Sequence, residues 1–292
     1  MRLIHITDPH LSTLDGETFM GLRGKRRSGY LSWYKKRRFE YRRDILEQTT
    51  SAIKSHQPDQ VLLTGDLVHI GLEREIVEAA GWLKELGGPE QVMFVPGNHD
   101  HYAPDSLAAM YRHWAAYLPP GTQPGDDYTA GFPILRELDG LRLLGVNSAC
   151  VTPVFSATGK LGDGQRQRLA EALRPDAGDQ RFQCLLIHHP PYPAMTIRRK
   201  ALRDAAQLKE LTRKQPPHLT LYGHIHCNRE HIDKASRIYC TASASDVHSA
   251  SYRIFDLQKN AGGWECRMRL MKLDPDAGSG IFSLLAESRW VT

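Results

Sequence analysis

The run Val92-Met-Phe-Val-Pro-Gly-Asn-His-Asp-His101 sets three reactive groups directly after a short apolar stretch. Asn98 offers an amide oxygen, His99 an imidazole and Asp100 a carboxylate, so this loop can ligate a metal or move a proton. Four other apolar runs end the same way. Residues 2–7 lead to Asp8 and His10, residues 60–64 to Asp66, residues 182–187 to His188 and His189, and residues 219–222 to His224 and His226. Each cluster alone has an ordinary reading: Asp-Pro suits a turn, Asp66 suits a helix cap, and paired histidines occur in loops. All five together are hard to obtain by chance. Asp8 and His10 are two apart, which in extended backbone points both side chains the same way. Carboxylates, imidazoles and one amide oxygen suit Mn, Fe, Zn or Co. There are too many donors for one ion. Seven groups furnish two sites if one carboxylate is shared, and two ions about 3.5–4 Å apart form the clamp used in in-line phosphoryl hydrolysis.

The elements that must position these groups follow from the pattern. Short continuous apolar runs read as buried strands, and helical patterns at residues 45–53, 77–86, 106–117, 165–173 and 197–211 alternate with them. Strand–helix alternation predicts an α/β fold with a mostly parallel sheet and chemistry at the strands' carboxyl ends. Residues 238–242, 251–257 and 264–273 read as strands of hairpin character, with a turn at 260–263. No repeat or internal boundary appears. The expected organisation is one domain over 1–273 and a tail over 274–292 without a clear assignment.

Composition narrows the class. Hydrophobic residues at 41% and charged residues at 24% describe an ordinary globular chain. No run approaches the roughly 18 apolar residues of a membrane span. The five cysteines are scattered without a CxxC pair, which argues for a reducing, cytoplasmic setting. Of the net charge of +5, residues 23–43 alone carry +9, ten Lys or Arg against Glu40, so the remainder carries −4. This basic stretch lies in an insert of about 14–43, where aromatics interleave with cations: Trp33 and Tyr34 precede Lys35, Lys36, Arg37 and Arg38. Leu31, Tyr34, Tyr41 and Ile45 share a helical face, the pattern of a basic amphipathic helix. Such a segment suits peripheral contact with an anionic membrane, a lipid-linked substrate included. It also suits, less well, single-stranded nucleic acid, or aromatic packing within the protein.

The ordered series Asp8-x-His10, Gly65-Asp66, Gly97-Asn98-His99-Asp100, His188 and Gly223-His224-x-His226 resembles the calcineurin-like metallophosphoesterases. The His-His-Pro-Pro and Gly-His-Ile-His forms are most similar to the branch holding class III cyclic nucleotide and glycerophosphodiester phosphodiesterases. The lipid A hydrolases of the same superfamily typically carry Arg where this chain has His99. The resemblance implies a four-layer α/β/β/α sandwich with two divalent ions at the strand ends. It implies that Asp8, His10 and His226 hold one ion, that Asn98, His188 and His224 hold the other, and that Asp66 bridges them. Of the histidine pair, it favours His188.

The expected activity is that of a metal-dependent phosphoric ester hydrolase acting on a phosphodiester or pyrophosphate. Two cations lower the pKa of a shared water, giving a bridging hydroxide near neutral pH. His99 is surplus to the metals and is the expected general acid, or steadies the phosphorane. His69 and Asp100 are candidates to orient His99. Two alternatives compete: a nucleic-acid phosphodiesterase, and a non-catalytic scaffold of the same fold.

Overall fold

Strands β1 (Arg2–Ile6), β2 (Gln60–Leu63) and β3 (Val92–Phe94) run parallel and are almost wholly buried, as their unbroken apolar sequences require. The computed structural model describes all residues except 12, 124–126, 175–179, 234–235 and 275–279. Before β2 come α1 (Lys25–Ser32), a π-helical turn at Trp33–Arg37, the single turn α2 (Arg38–Glu40) and α3 (Arg43–Ser55). Then follow α4 (Glu73–Leu86), β3 and α5 (Pro104–His113).

The second half opens with β4 (Ile134–Leu138) and β5 (Leu141–Gly145), then α6 (Asp163–Leu173), β6 (Phe182–Leu186), α7 (Ala205–Lys214) and β7 (Leu219–Tyr222). It closes with β8 (Arg229–Asp233), β9 (Ser236–Cys240), β10 (Ser251–Asn260), β11 (Gly263–Leu273) and β12 (Phe282–Val291).

These strands make two sheets, as the family resemblance implies, although strand–helix alternation alone points to one. The first has the order β12-β11-β10-β1-β2-β3 and the second β4-β5-β6-β7-β9-β8. Leu3, Leu62, Phe255 and Met268 of the first sheet meet Leu143, Cys184, Leu221 and Tyr239 of the second in a shared core. The opposite face of the first sheet, Ile4, Val61 and Phe94, is covered by Leu46, Ile53, Ile76, Trp82 and Met110 of α3, α4 and α5. The far face of the second, Leu144, Leu185 and Ile238, is covered by Leu169 and Leu173 of α6 and Leu208 of α7. Helices, sheet, sheet, helices give the α/β/β/α sandwich. The central strands of each sheet are buried on both faces, so periodicity alone could not assign them to one sheet or two.

Two boundaries differ from expectation. The tail from 274 contains β12, which pairs with β11 from Glu265↔Val291 to Leu273↔Phe282. Its faces are mostly exposed, so it lacks the alternation that marks a half-buried strand. The helix expected at 197–211 begins only at Ala205. Asp204 is held away by the backbone N–H groups of Leu161 and Gly162, which donate to its carboxylate at 3.0 and 2.9 Å. Gly159 bridges Leu202, fixing the preceding loop.

Candidate metal centre

The carboxyl ends of β1, β2 and β3 and those of β6 and β7 converge at one edge of the sandwich. Donor atoms of Asp8, His10, Asp66 and His226 lie within 4.8 Å of one another, and so do those of Asp66, His188 and His224. Asp66 belongs to both groups. Asn98 joins the second, its Oδ1 being 3.2 Å from His188 Nε2. Asp8, His10, Asp66, Asn98, His188 and His224 are buried, and the side chain of His226 is 19% exposed.

The loops reach this arrangement by an unusual backbone. Asp8, His10, Asp66, His224 and His226 all have positive φ, between 39° and 69°. Such conformations cost of order 1–3 kcal/mol each and persist only where surrounding bonds enforce them. Here the loops brace one another: Asp8 N–H donates to Gly65 O at 3.0 Å, His10 N–H to Asp66 O at 3.1 Å and His224 N–H to Asp8 Oδ2 at 2.9 Å. Asp8 and His10 therefore converge through left-handed turns and not, as expected, through extended backbone. The glycines of the motifs serve close approach. A Cβ on Gly97 would collide with Asp66 Oδ1, and one on Gly223 with Thr7 Oγ1 and Asp8 Oδ2.

The protonation pattern suits cation ligands. His10 Nδ1 faces Val68 O at 3.0 Å and His188 Nδ1 faces Thr64 O at 2.6 Å. A ring nitrogen facing a carbonyl carries the proton, which leaves the Nε2 lone pair pointing into the site. Nε2 of His10 and Nε2 of His224 are buried and have no hydrogen-bond partner among the described residues. Burial, then neighbouring imidazoles, holds both rings well below the ordinary histidine range, in the neutral form that ligates. Burial alone would lower His188 too, but the Asp66 and Asp8 carboxylates outweigh it and raise it to about 9. Burial would raise the Asp8 carboxyl, yet adjacent His226 holds it far below the usual range. Two carboxylates compete for protons on imidazoles that a divalent ion would replace, and two buried Nε2 atoms lack partners. These residues fit metal ions.

The structure brings His188 and not His189 into the donor set. His189 turns its Nδ1 to Ser148 Oγ at 2.8 Å and packs its ring 4.5 Å from that of His224. His99 lies over the centre: its N–H donates to Asp66 Oδ1 at 2.7 Å, its Nδ1 to the carbonyl of His69, and its Nε2 is 3.0 Å from Arg37 Nη1. His69 thus orients His99, through its backbone, while its ring stacks on His10. Asp100 does not touch His99. Its carboxylate accepts from the N–H groups of Asp66, Leu67 and Gly97 at 2.9, 2.8 and 2.8 Å, and so fixes the loops instead.

The insert also departs from its helical-face pattern. Trp33 is buried at 4% exposure among Leu14, Leu22, Ile70 and Tyr102, whereas Leu31 and Tyr34 face outward at 40% and 48%. The candidate surface contact at Trp33 is therefore a core contact. The π-helical turn from Trp33 rotates the faces, and the helix breaks at Tyr41, whose backbone is extended. Tyr34, Lys35 and Lys36 remain exposed and Arg38 stacks on Tyr34 at 4.0 Å, but Arg37 reaches His99. Tyr41 Oη meets His226 Nδ1 at 2.7 Å, a contact that sequence reasoning missed because an aromatic in a basic stretch carries no signal of it.

A cavity of about 460 Å³ opens above the centre. Its walls include Lys25, Lys36, Arg37 and Tyr41 from the insert, His99 and Tyr102, and Arg199 and Lys200 from the loop before α7.

A two-sheet sandwich with overlapping carboxylate and imidazole donor sets at its strand ends defines a metal-dependent phosphoesterase. The family model for calcineurin-like phosphoesterases matches residues 1–228, and the chain belongs to that family. A protein of Synechococcus sp. strain WH7803 named "Probable cyclic nucleotide phosphodiesterase" is 28% identical over 237 residues, 77% of this chain and 74% of its own. One of the same name from a second Synechococcus strain is 26% identical over 228 residues, 77% of this chain and 75% of its own. Among solved structures, a dimetal phosphatase from Danio rerio superposes with a TM-score of 0.62 at 14% identity, covering 99% of this chain and 98% of that one. Purple acid phosphatase PPD1 from yellow lupin superposes at 0.59 and 12% identity, over 99% of this chain and 53% of that one. Both likenesses are of fold. Family and donor set together make the chain a metal-dependent phosphoric ester hydrolase. Among the described residues no helix is long and apolar enough to cross a membrane.

Proposed function

We propose that the chain hydrolyses a phosphodiester or pyrophosphate bond of a nucleotide-sized substrate at a centre of two divalent ions (Mn, Fe, Zn or Co). The observation that carries this reading is Asp66, common to two buried donor sets beneath a basic cavity. Asp8, His10 and His226 would hold one ion, Asn98, His188 and His224 the other, and Asp66 would join both. Two such ions, when bound, supply an acidified water and neutralise phosphoryl charge. Arg37 binds a phosphoryl oxygen of the substrate. His99 stands beside it with its proton on Nδ1, since burial and Arg37 hold it well below the ordinary range. An anion bound by Arg37 beside His99 puts negative charge next to the ring and favours a second proton at Nε2, the one a leaving alkoxide needs. The names of the Synechococcus relatives support a phosphodiester substrate.

The test is hydrolysis of bis-p-nitrophenyl phosphate and p-nitrophenyl phosphate by metal-stripped protein titrated with Mn²⁺. Turnover should require metal, and His99→Ala should lower kcat by about 10²–10⁴-fold with metal content retained. Two bound metals without turnover of either ester would leave the non-catalytic scaffold as the better reading.

A second reading concerns the outer face of the insert. Met20, Phe39 and Tyr34 are 78%, 62% and 48% exposed beside Lys35 and Lys36, which supports contact with an anionic membrane and a lipid-linked substrate. Co-sedimentation with phosphatidylserine vesicles, lost in Phe39→Ser, tests it; equal recovery of both proteins removes it.

A further inference from the structure

The cavity carries more positive charge than one phosphodiester requires. Lys25, Lys36, Arg37, Arg199 and Lys200 line it, and apart from the donor Asp66 the one carboxylate among its lining residues is Glu40. Glu40 is taken by Lys36 at 3.3 Å. Lys25 donates to Thr152 Oγ1 at 2.9 Å, and Arg37 is engaged with His99. Arg199 and Lys200 differ: neither side chain has a hydrogen-bond or ion-pair partner among the described residues.

The backbone that carries these two cations is nonetheless fixed at the cavity, with Arg199 exposed at its rim and Lys200 half-buried. The short turn Arg198–Lys200 is tied by Ala157 N–H donating to Arg199 O at 2.9 Å and by Gly159 N–H donating to Ala201 O at 3.2 Å. Lys200 is half-buried, and the burial lowers its ammonium below the ordinary lysine range even though Asp8 and Asp66 pull the other way. A partly desolvated ammonium with no carboxylate in hydrogen-bond contact among the described residues costs free energy that an incoming anion recovers. A diester phosphate brings a single negative charge, which the metal centre and Arg37 already address. A cyclic nucleotide therefore leaves Arg199 and Lys200 unused.

We propose that Arg199 and Lys200 form a second anion subsite, and that the preferred substrate carries another phosphoryl group next to the scissile one, as in a pyrophosphate diester. This rests on the hydrolase reading above and narrows its substrate class. The hydrolytic step differs only in its leaving group: water adds at the scissile phosphorus, one P–O bond breaks, and the departing phosphate takes the proton in place of an alkoxide.

The experiment compares kcat/KM for a nucleoside diphosphate sugar with that for 3′,5′-cyclic AMP, with bis-p-nitrophenyl phosphate as reference. The wild type should favour the pyrophosphate diester by about tenfold or more, as expected for two charge-assisted contacts. In Arg199→Gln/Lys200→Gln the ratio should fall toward one, mainly through KM, and Lys200→Arg should restore part of it. Turnover of the reference without preference for the pyrophosphate diester, or a preference untouched by the double variant, overturns the subsite alone. Failure to turn over even the reference ester overturns the hydrolase reading, and the subsite with it.

Discussion

The ligand loops and the basic insert face each other across one cavity, yet they are built in opposite ways. The loops spring from fully buried strands and are bonded to one another through backbone and carboxylate contacts of 2.8 to 3.1 Å. Five of their residues sit in left-handed conformations that only such bracing sustains. The insert packs on the body through a small satellite core around Trp33 and Tyr102 and through polar contacts of Lys25, Arg26, Arg37 and Tyr41, and turns most of its remaining residues to solvent or cavity. The contrast teaches a division of labour. Reacting groups are placed where nothing can move, and charge that greets the substrate hangs on a peripheral element that can vary without disturbing them.

The sharpest way to break this comparison is at Asp66. Because both donor sets use it, Asp66→Ala should remove both metals and lower Mn²⁺-dependent turnover by about 10⁴-fold or more. Metal analysis showing one ion still tightly bound would mean that the two sets are independent. Next comes Trp33→Ala, which should cost about 3–5 kcal/mol of local packing. If the insert is a separate wall, metal content and thermal unfolding of the sandwich should change little while KM rises; a collapse of metal binding would tie the insert to the centre. Tyr41→Phe probes one of two polar contacts, the other being Arg37 with His99, by which the insert meets the groups around the centre. Losing its bond to His226 Nδ1 should weaken metal binding by about 10–100-fold, read by titration with Mn²⁺, and unchanged affinity would make the bond incidental.

The smallest effect belongs to the sheet behind the loops. His5 is fully buried, bonded to Thr241 Oγ1 at 2.8 Å and Thr64 Oγ1 at 2.9 Å, and burial, then Arg253, lowers it to about 3. Its folded value lies below its unfolded one, so the unfolded chain binds the extra proton between them. The stabilisation is complete above about pH 6.5 and is lost as pH falls toward 3, at roughly 1.4 kcal/mol per pH unit. Denaturant melts of wild type and His5→Gln at pH 7, 5.5 and 4.5 should show the steeper acid loss in the wild type. Parallel slopes would contradict it.

Much of the centre was legible because its signal is local. A candidate metal ligand needs a particular donor, and an apolar run fixes where its strand ends, so Asp8, His10, Asp66, Asn98, His224 and His226 could be read in order as candidate donors that the fold brings together. Between His188 and His189 the residue pattern alone could not choose; the resemblance favours His188, and in the fold that ring, not His189's, meets Asn98 and Asp66, since adjacent residues leave a strand end in different directions. The role of Asp100 was misread for a related reason. Its proximity to His99 is sequential, whereas its carboxylate bonds backbone N–H groups from two loops.

What the sequence determined by itself was the donor inventory, the α/β alternation and the concentration of charge in 23–43. These depend on residue type and on periods of two and 3.6, which are properties of neighbours in the chain. Only the tertiary structure decided that residues 282–291 complete one of the sheets, that Trp33 is core, and that Arg37, Tyr41, Arg199 and Lys200 share a cavity with the donors. Those facts depend on which surfaces meet, and contacts between separate elements of the chain, such as Arg37 with His99, leave no periodic trace in it.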